Sequence, residues 1–222
     1  MEINGVNIEF LGHSGFLFTG KEGERIAIDP YNASNNIEKV DLILITHSHY
    51  DHCSINDIEK LSRKGTIIII PADAQSKITK VDSVDMQVIE VGDEVSFKDI
   101  KIEAVPAYNM RKEYHPKREG WMGYLIKFGD VIVYHTGDSD NIPEMKKLTG
   151  YGKQGNEFIA LLPVSGKYVM DADEAAEVAS LLSPTLAIPM HFGSGVGTLE
   201  DAEKFIGLCE QNGIRAEMLE RI

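Results

Sequence analysis

The segment Thr46-His47-Ser48-His49-Tyr50-Asp51-His52 places three imidazoles and a carboxylate within seven residues, directly after the apolar run Leu42 to Ile45. These are nitrogen and oxygen donors of the kind that hold divalent metal ions. Side chains on an extended backbone alternate with period two, so His47 and His49 point to the same side and can reach one ion. Asp51 and His52 come after the chain has begun to turn and address a second position nearby. Three of the chain's seven histidines fall in this stretch, which a scattered distribution does not predict.

Three other places repeat the pattern of an apolar run ending in a metal-competent side chain. Val131 to Tyr134 leads through His135-Thr136-Gly137 to Asp138, on a tight glycine turn. Leu186 to Met190 ends in His191. Ile102 to Tyr108 ends in Asn109, with His115 a few residues on. Pockets in layered α/β folds lie beyond strand ends, so these groups can converge. In Gly12-His13-Ser14-Gly15, the imidazole lines such a groove or serves as a hydrogen-bonded structural histidine.

The elements that must position these groups follow from periodicity. Strands are expected at Ile3 to Leu11, Phe16 to Thr19, Arg25 to Asp29, Leu42 to Thr46, Thr66 to Ile70, Gln87 to Val91 and Ile100 to Val105. More are expected at Gly123 to Phe128, Val131 to His135, Phe158 to Leu162, Thr185 to Met190 and Arg215 to Met218. Helical spacing marks Ser54 to Arg63, Ala72 to Lys80, Ala172 to Leu182 and Leu199 to Asn212. Acidic residues at 171–174 suit a helix start, and Thr198 with Asp201 forms a capping box. Hairpins followed by strand and helix alternation give mixed sheets covered by helices, an α/β layered sandwich.

Composition narrows the functional classes. At 222 residues with 43% hydrophobic and 26% charged content, the chain reads as a single compact domain, 1–222. A net charge of −13 disfavours nucleic acid and anionic lipid, whose binding depends on lysine and arginine. No apolar stretch has the length of a membrane span, and the start lacks a signal-peptide pattern, so a cytoplasmic location is expected. Two cysteines, Cys53 and Cys209, are too few for a disulfide framework and fit a reducing compartment. Arg111, Lys112, Lys117 and Arg118, interleaved with Glu113 and Glu119, read as a solvated loop able to meet a small anion. Oligomeric state is left open.

The motif His47, His49, Asp51, His52 resembles the HxHxDH signature of the metallo-β-lactamase superfamily, position for position. The Gly137-Asp138 turn and the late His191 fall in that family's order and approximate spacing. Within it, the chain looks like the ascorbate-6-phosphate lactonase-like branch of metal-dependent hydrolases. The resemblance implies a four-layer αββα sandwich, two mixed sheets flanked by helices, with a dinuclear metal site. By motif, His47 and His49 would bind one metal, Asp51, His52 and His191 the other, and Asp138 would bridge them. The family usually carries a histidine where this chain has Asn109, so Asn109 or His115 would complete the first site. Asp29 matches an acidic position that supports metal-bound imidazoles from behind.

Two cations a short distance apart share a hydroxide, bring its pKa toward neutrality and polarise a carbonyl or phosphoryl oxygen, which is hydrolytic chemistry. Asp51 would orient that hydroxide or take its proton. The donor set suits zinc best and admits manganese, iron or nickel. The expected activity is hydrolysis of a small, anionic ester, lactone or phosphodiester, with Lys167 and Tyr168 as candidate substrate contacts. Three rivals stand beside it. One is a serine hydrolase using Ser14, although Gly12-His13-Ser14-Gly15 is one residue short of G-x-S-x-G. Another is a nucleotide binder using the glycine run at 193–197, which lacks a P-loop lysine. The third is a non-catalytic metal-binding protein.

Overall fold

A computed structural model describes residues 1–153 and 155–222. The chain divides into two compact units, Met1–Glu90 with Glu220–Ile222, and Val91–Leu219. Each is built around one mixed sheet whose strands lie side by side in sequence order.

The first unit contains β1 (Glu2–Ile3), β2 (Val6–Gly12), β3 (Gly15–Thr19), β4 (Arg25–Ile28), β5 (Leu42–Leu44), β6 (Ile67–Ile70) and β7 (Asp85–Val88). Pairing is antiparallel from β1 to β4 and parallel from β4 to β7. Consequently β2, β4, β5 and β6 all run the same way, and whatever follows their last residues emerges at one edge of the sheet. Helices α1 (Ile55–Leu61) and α2 (Gln75–Ile78) contribute Ile58, Leu61 and Ile78 to a core with Leu17, Ile43, Ile68 and Ile70. Leu42 and Leu44 alternate to the opposite face and are buried too, as parallel strands require.

The second unit contains β8 (Glu94–Phe97), β9 (Ile100–Pro106), β10 (Met122–Phe128), β11 (Val131–His135), β12 (Glu157–Pro163) and β13 (Leu186–Met190). Here too pairing starts antiparallel, from β8 to β11, and ends parallel, from β11 to β13. So β9, β11, β12 and β13 share a direction and deliver their following loops to one edge. Helices α3 (Ala172–Leu182) and α4 (Leu199–Gln211) pack on each other and on β12 and β13. Both open with capping boxes, Asp171 with Glu174 and Thr198 with Asp201, which satisfy backbone N–H groups that a helix start leaves open. The two sheets share a pattern of pairings although the sequence shows no residue-level repeat.

The α/β class and the pair of mixed sheets match the sequence expectation, and several boundaries move. The expected strand Gln87 to Val91 forms as Asp85–Val88, because its register is set by pairing with Ile67–Ile70 and not by its own apolar residues. Edge strand Glu94–Phe97 escapes the reading because it is only four residues long, with Glu94 and Ser96 exposed and Val95 and Phe97 half-buried. Arg215 to Met218 makes only a bridge, Ala187 to Ala216, in place of a strand. Ala72 to Lys80 splits into a 3₁₀ turn, Ala72–Ala74, and the short α2. Among the described residues no helix is long and apolar enough to cross a membrane.

Gly123 on β10 is needed for space. A Cβ there would lie 2.4 Å from the His135 carbonyl oxygen and 2.7 Å from the Thr136 backbone, atoms that cannot swing away. Gly123→Ala is expected to destabilise the fold by about 2–3 kcal/mol, in the upper range for forced overpacking. Chemical denaturation checks this; an unchanged midpoint would mean that the β11 backbone gives way freely.

Candidate metal centre

In the first unit the edge beyond β2, β4 and β5 carries His13, Asp29 and the run at 46–52. Asp29 is fully buried and holds a left-handed φ of 43°. Its Oδ1 accepts the Thr46 backbone N–H at 2.8 Å, and its Oδ2 accepts the Thr46 hydroxyl at 2.5 Å and His52 Nδ1–H at 2.7 Å. A carboxylate is an acceptor only, so His52 carries its proton on Nδ1 and turns a lone pair outward at Nε2. The Thr46 hydroxyl hydrogen is committed to Asp29, so its oxygen accepts from His47 Nδ1, 2.9 Å away. His47 Nε2 is thereby left as a lone-pair nitrogen as well.

His47 Nε2 and His49 Nδ1 lie 3.0 Å apart. The two imidazoles meet as expected, but not by alternation on a strand: β5 ends at Leu44 and the backbone bends at Thr46, Ser48 and His49. Two imidazole nitrogens on one tetrahedral zinc, each at about 2.0–2.1 Å, would sit roughly 3.3 Å apart. Asp51 Oδ2 is 4.0 Å from His52 Nε2 and 3.1 Å from His13 Nε2. One ligand atom from each of Asp29, His47 and His52 falls within 4.8 Å of the others. Cys53, next in the chain, is buried, and burial pushes its thiol up to about 11, so it stays protonated and inert.

In the second unit Asp138, His115 and His191 meet. His115 Nε2 is 3.1 Å and His191 Nε2 3.2 Å from Asp138 Oδ2, and all three residues are at least 96% buried. Each histidine is held from behind: His115 Nδ1 donates to the Tyr168 carbonyl at 3.1 Å, and His191 Nδ1 lies 2.8 Å from Ser165 Oγ. His135, also buried, accepts the Gly137 N–H on its Nδ1 at 3.1 Å and so pins the turn that presents Asp138. His115 and His191 hold φ of 56° and 60°, rarely adopted by histidine; strain of this kind persists where surrounding structure over-determines it.

Asn109 lies three residues beyond β9, and its side-chain amide is engaged elsewhere. Its Nδ2 donates to the Tyr168 carbonyl at 2.6 Å, and its backbone N–H donates to the His115 carbonyl at 2.8 Å, closing the loop that swings His115 into place. Its Oδ1 is buried with no hydrogen-bond partner among the described residues. Asp140, unnoticed in the sequence, anchors the same loop by accepting the Met110 and Arg111 N–H groups and the Lys112 ammonium. Lys112 also pairs with Glu174 and is mostly covered, whereas Lys117, paired with Glu144, stays largely exposed as the solvated-loop reading expects. Tyr168 contributes its carbonyl to the centre, while Lys167 Nζ lies over the Tyr168 ring at 4.8 Å.

Two rivals lose their footing. Ser14 is fully buried in a tight turn followed by strand β3, not by the helix that a nucleophile elbow needs. The glycine run at 193–197 folds back through Gly193 N–H to the Gly197 carbonyl, and a Cβ on Gly197 would strike Ser165 and the His191 carbonyl. At the start of α4 the Thr198 and Asp201 backbone N–H groups are taken by each other's side chains, and Asp201 sets a negative charge where a phosphate would sit. Gly197 serves close packing against His191, while Gly193 and Gly195, with φ of 77° and 88°, serve the turn itself.

A model of the beta-lactamase superfamily domain matches residues 7–191. The chain belongs to the metallo-β-lactamase superfamily. A UPF0173 metal-dependent hydrolase of Thermoplasma acidophilum is 33% identical over 210 residues, covering 89% of this chain and 88% of the relative. A crystal structure from Parabacteroides distasonis ATCC 8503 superposes with a TM-score of 0.83 at 32% identity, over 98% of this chain and 94% of that one. Igni18, a metallo hydrolase from Ignicoccus hospitalis, does so at 0.76 and 26%, over 97% and 95%. A metal is what this superfamily implies, and the residues fit one. Lone-pair nitrogens are fixed by second hydrogen bonds, carboxylates stand beside them, and the buried Asn109 Oδ1 is an acceptor awaiting a partner.

Asp29→Ala is expected to weaken metal affinity by about 10–100-fold, the usual cost of losing such a support. Competition titration against a chromophoric chelator measures it; unchanged affinity would mean that His47 and His52 hold their orientation without Asp29.

Proposed function

We propose that this chain is a metal-dependent hydrolase working with two divalent cations, zinc foremost, on a small anionic ester, lactone or phosphodiester. His47 and His49 would hold one cation, Asp51, His52 and His191 the other, with Asp138 between them. His115 would take the place of the histidine that Asn109 replaces. The observation that carries this reading is the double tether of His47 and His52 to Asp29, which commits both inner nitrogens and turns both outer lone pairs to one side. His115 fits better than Asn109 as a ligand because its Nδ1 is satisfied and its Nε2 approaches Asp138. A single family match running through both units supports one hydrolase domain. The ascorbate-6-phosphate lactonase-like branch remains the proposed placement, and a reducing cytoplasm the proposed compartment.

When bound, the cations supply Lewis acidity toward the scissile oxygen and toward water. The chain's own contribution is positional. Asp51 would orient the attacking water or accept its proton, and the buried tethers behind each histidine keep the ligand shell from reorganising as charge develops. An anionic substrate is supported by a cavity of about 730 Å³ in the first unit, which borders Tyr31, Tyr50 and Cys53. Three lysines, Lys60, Lys77 and Lys80, line it against one carboxylate, Asp57, already paired to Lys60. In a chain of net charge −13 such a cluster creates a local field that attracts anions.

Chelation is expected to abolish hydrolysis across an ester, lactone and phosphodiester panel, with activity restored by zinc, and His49→Ala is expected to lower kcat/KM by at least about 100-fold, roughly 3 kcal/mol of transition-state binding. Full activity in His49→Ala with unchanged metal content would overturn the assignment. Lys80→Glu is expected to raise KM for anionic substrates by about 2–5-fold, roughly 0.5–1 kcal/mol at an exposed charge, and to leave neutral esters unaffected. Equal KM values for both substrate types would remove the cavity from the substrate path.

A further inference from the structure

His13 is absent from the ligand set that the superfamily motif supplies, yet the fold takes trouble to place it. Strands β2 and β3 pair as Phe10 with Phe16 and then as Gly12 with Gly15, a register slip that leaves only His13 and Ser14 in the turn. Gly12 has φ of 106° and His13 φ of 56°. For histidine, a left-handed backbone costs about 1–2 kcal/mol, so something must hold it there. Because β2 runs parallel to β4 and β5, the turn lands at the same edge as Asp29 and the 46–52 run.

The side chain is 1% exposed and its Nε2 lies 3.1 Å from Asp51 Oδ2. Its ring meets those of His52 and Tyr31 edge-on, at 5.4 and 5.7 Å, which fixes the imidazole plane. Asp51 needs such help, since it sits in a turn outside any helix or strand and its side chain is 18% exposed. We propose that His13 is a positioning residue whose Nε2–H holds one oxygen of Asp51 and leaves the other for the metal centre. This role rests on the assignment of Asp51 made above. The rival is that His13 is itself a ligand through this nitrogen, for 3.1 Å also suits two donors on one cation; such a ligand must present a bare Nε2, whereas a hydrogen bond to a carboxylate requires a proton there.

Two measurements on the full chain separate these. In metal-free protein, a long-range proton–nitrogen spectrum of the imidazoles should show His13 protonated on Nε2, and the signal should move in Asp51→Asn. A bare Nε2, or a signal indifferent to Asp51→Asn, overturns the proposal even if no substrate is ever found. On the metal-loaded protein, His13→Leu should lower kcat by about 10–100-fold, as losing an outer support does, with KM and metal content unchanged. His13→Gln, whose amide can offer an N–H in a similar place, should recover most of that loss. Loss of one metal equivalent in both variants would make His13 a ligand, and unchanged kcat in His13→Leu would make it purely structural. A wild-type protein inactive on the whole panel would instead fail the hydrolase reading, leaving the spectrum to decide the His13–Asp51 bond.

Discussion

The first unit's chemistry hangs on one buried carboxylate. Asp29 has no exposure to water, and its hydrogen bonds run to the Thr46 backbone, the Thr46 hydroxyl and His52. Burying a carboxylate costs several kcal/mol unless its lone pairs are met, so those bonds are what make its position tolerable. In meeting them the protein fixes two imidazole tautomers at once, one directly and one through the Thr46 hydroxyl. The orientation of the donors is therefore settled before any cation arrives, and none of it depends on flexible surface groups.

The second unit solves the same problem with backbone carbonyls and hydroxyls. Tyr168 offers a carbonyl to both Asn109 and His115, Ser165 meets His191, and His135 secures the Gly137 turn. The backbone N–H of Asn109 closes the loop 109–116 on itself, and the loop carries His115 to within 3.1 Å of Asp138.

Much of this was legible in the letters. Strands Leu42–Leu44, Val131–His135 and Leu186–Met190 were readable because both faces are buried and the runs are uninterrupted, and the Gly129-Asp130 hairpin announced itself through its turn residues. Edge strands were harder, since Glu94–Phe97 and Asp85–Val88 owe their form to a neighbour and not to their own apolar content. The dense histidine motif declared its chemistry, and Asp29 was reached through the family resemblance. What stayed hidden were tethers whose partners lie far along the chain. Asp140 meets residues about 30 positions earlier, Ser165 meets His191 across 26, and His13 meets Asp51 across 38. No local spacing encodes such pairs, because only the order of strands in the sheet makes them neighbours.

In both sheets the strands are laid down in sequence order, and the groups that do chemistry sit past strand ends, in the connections. Residues that make the protein cohere and residues that decide what it acts upon are thus largely different residues. A connection can be lengthened or redecorated at small entropic cost, while the register beneath it stays locked by apolar pairing. Such a scaffold is open to evolutionary retargeting: new substrates can be tried by rewriting loops, without asking the sheets to fold anew.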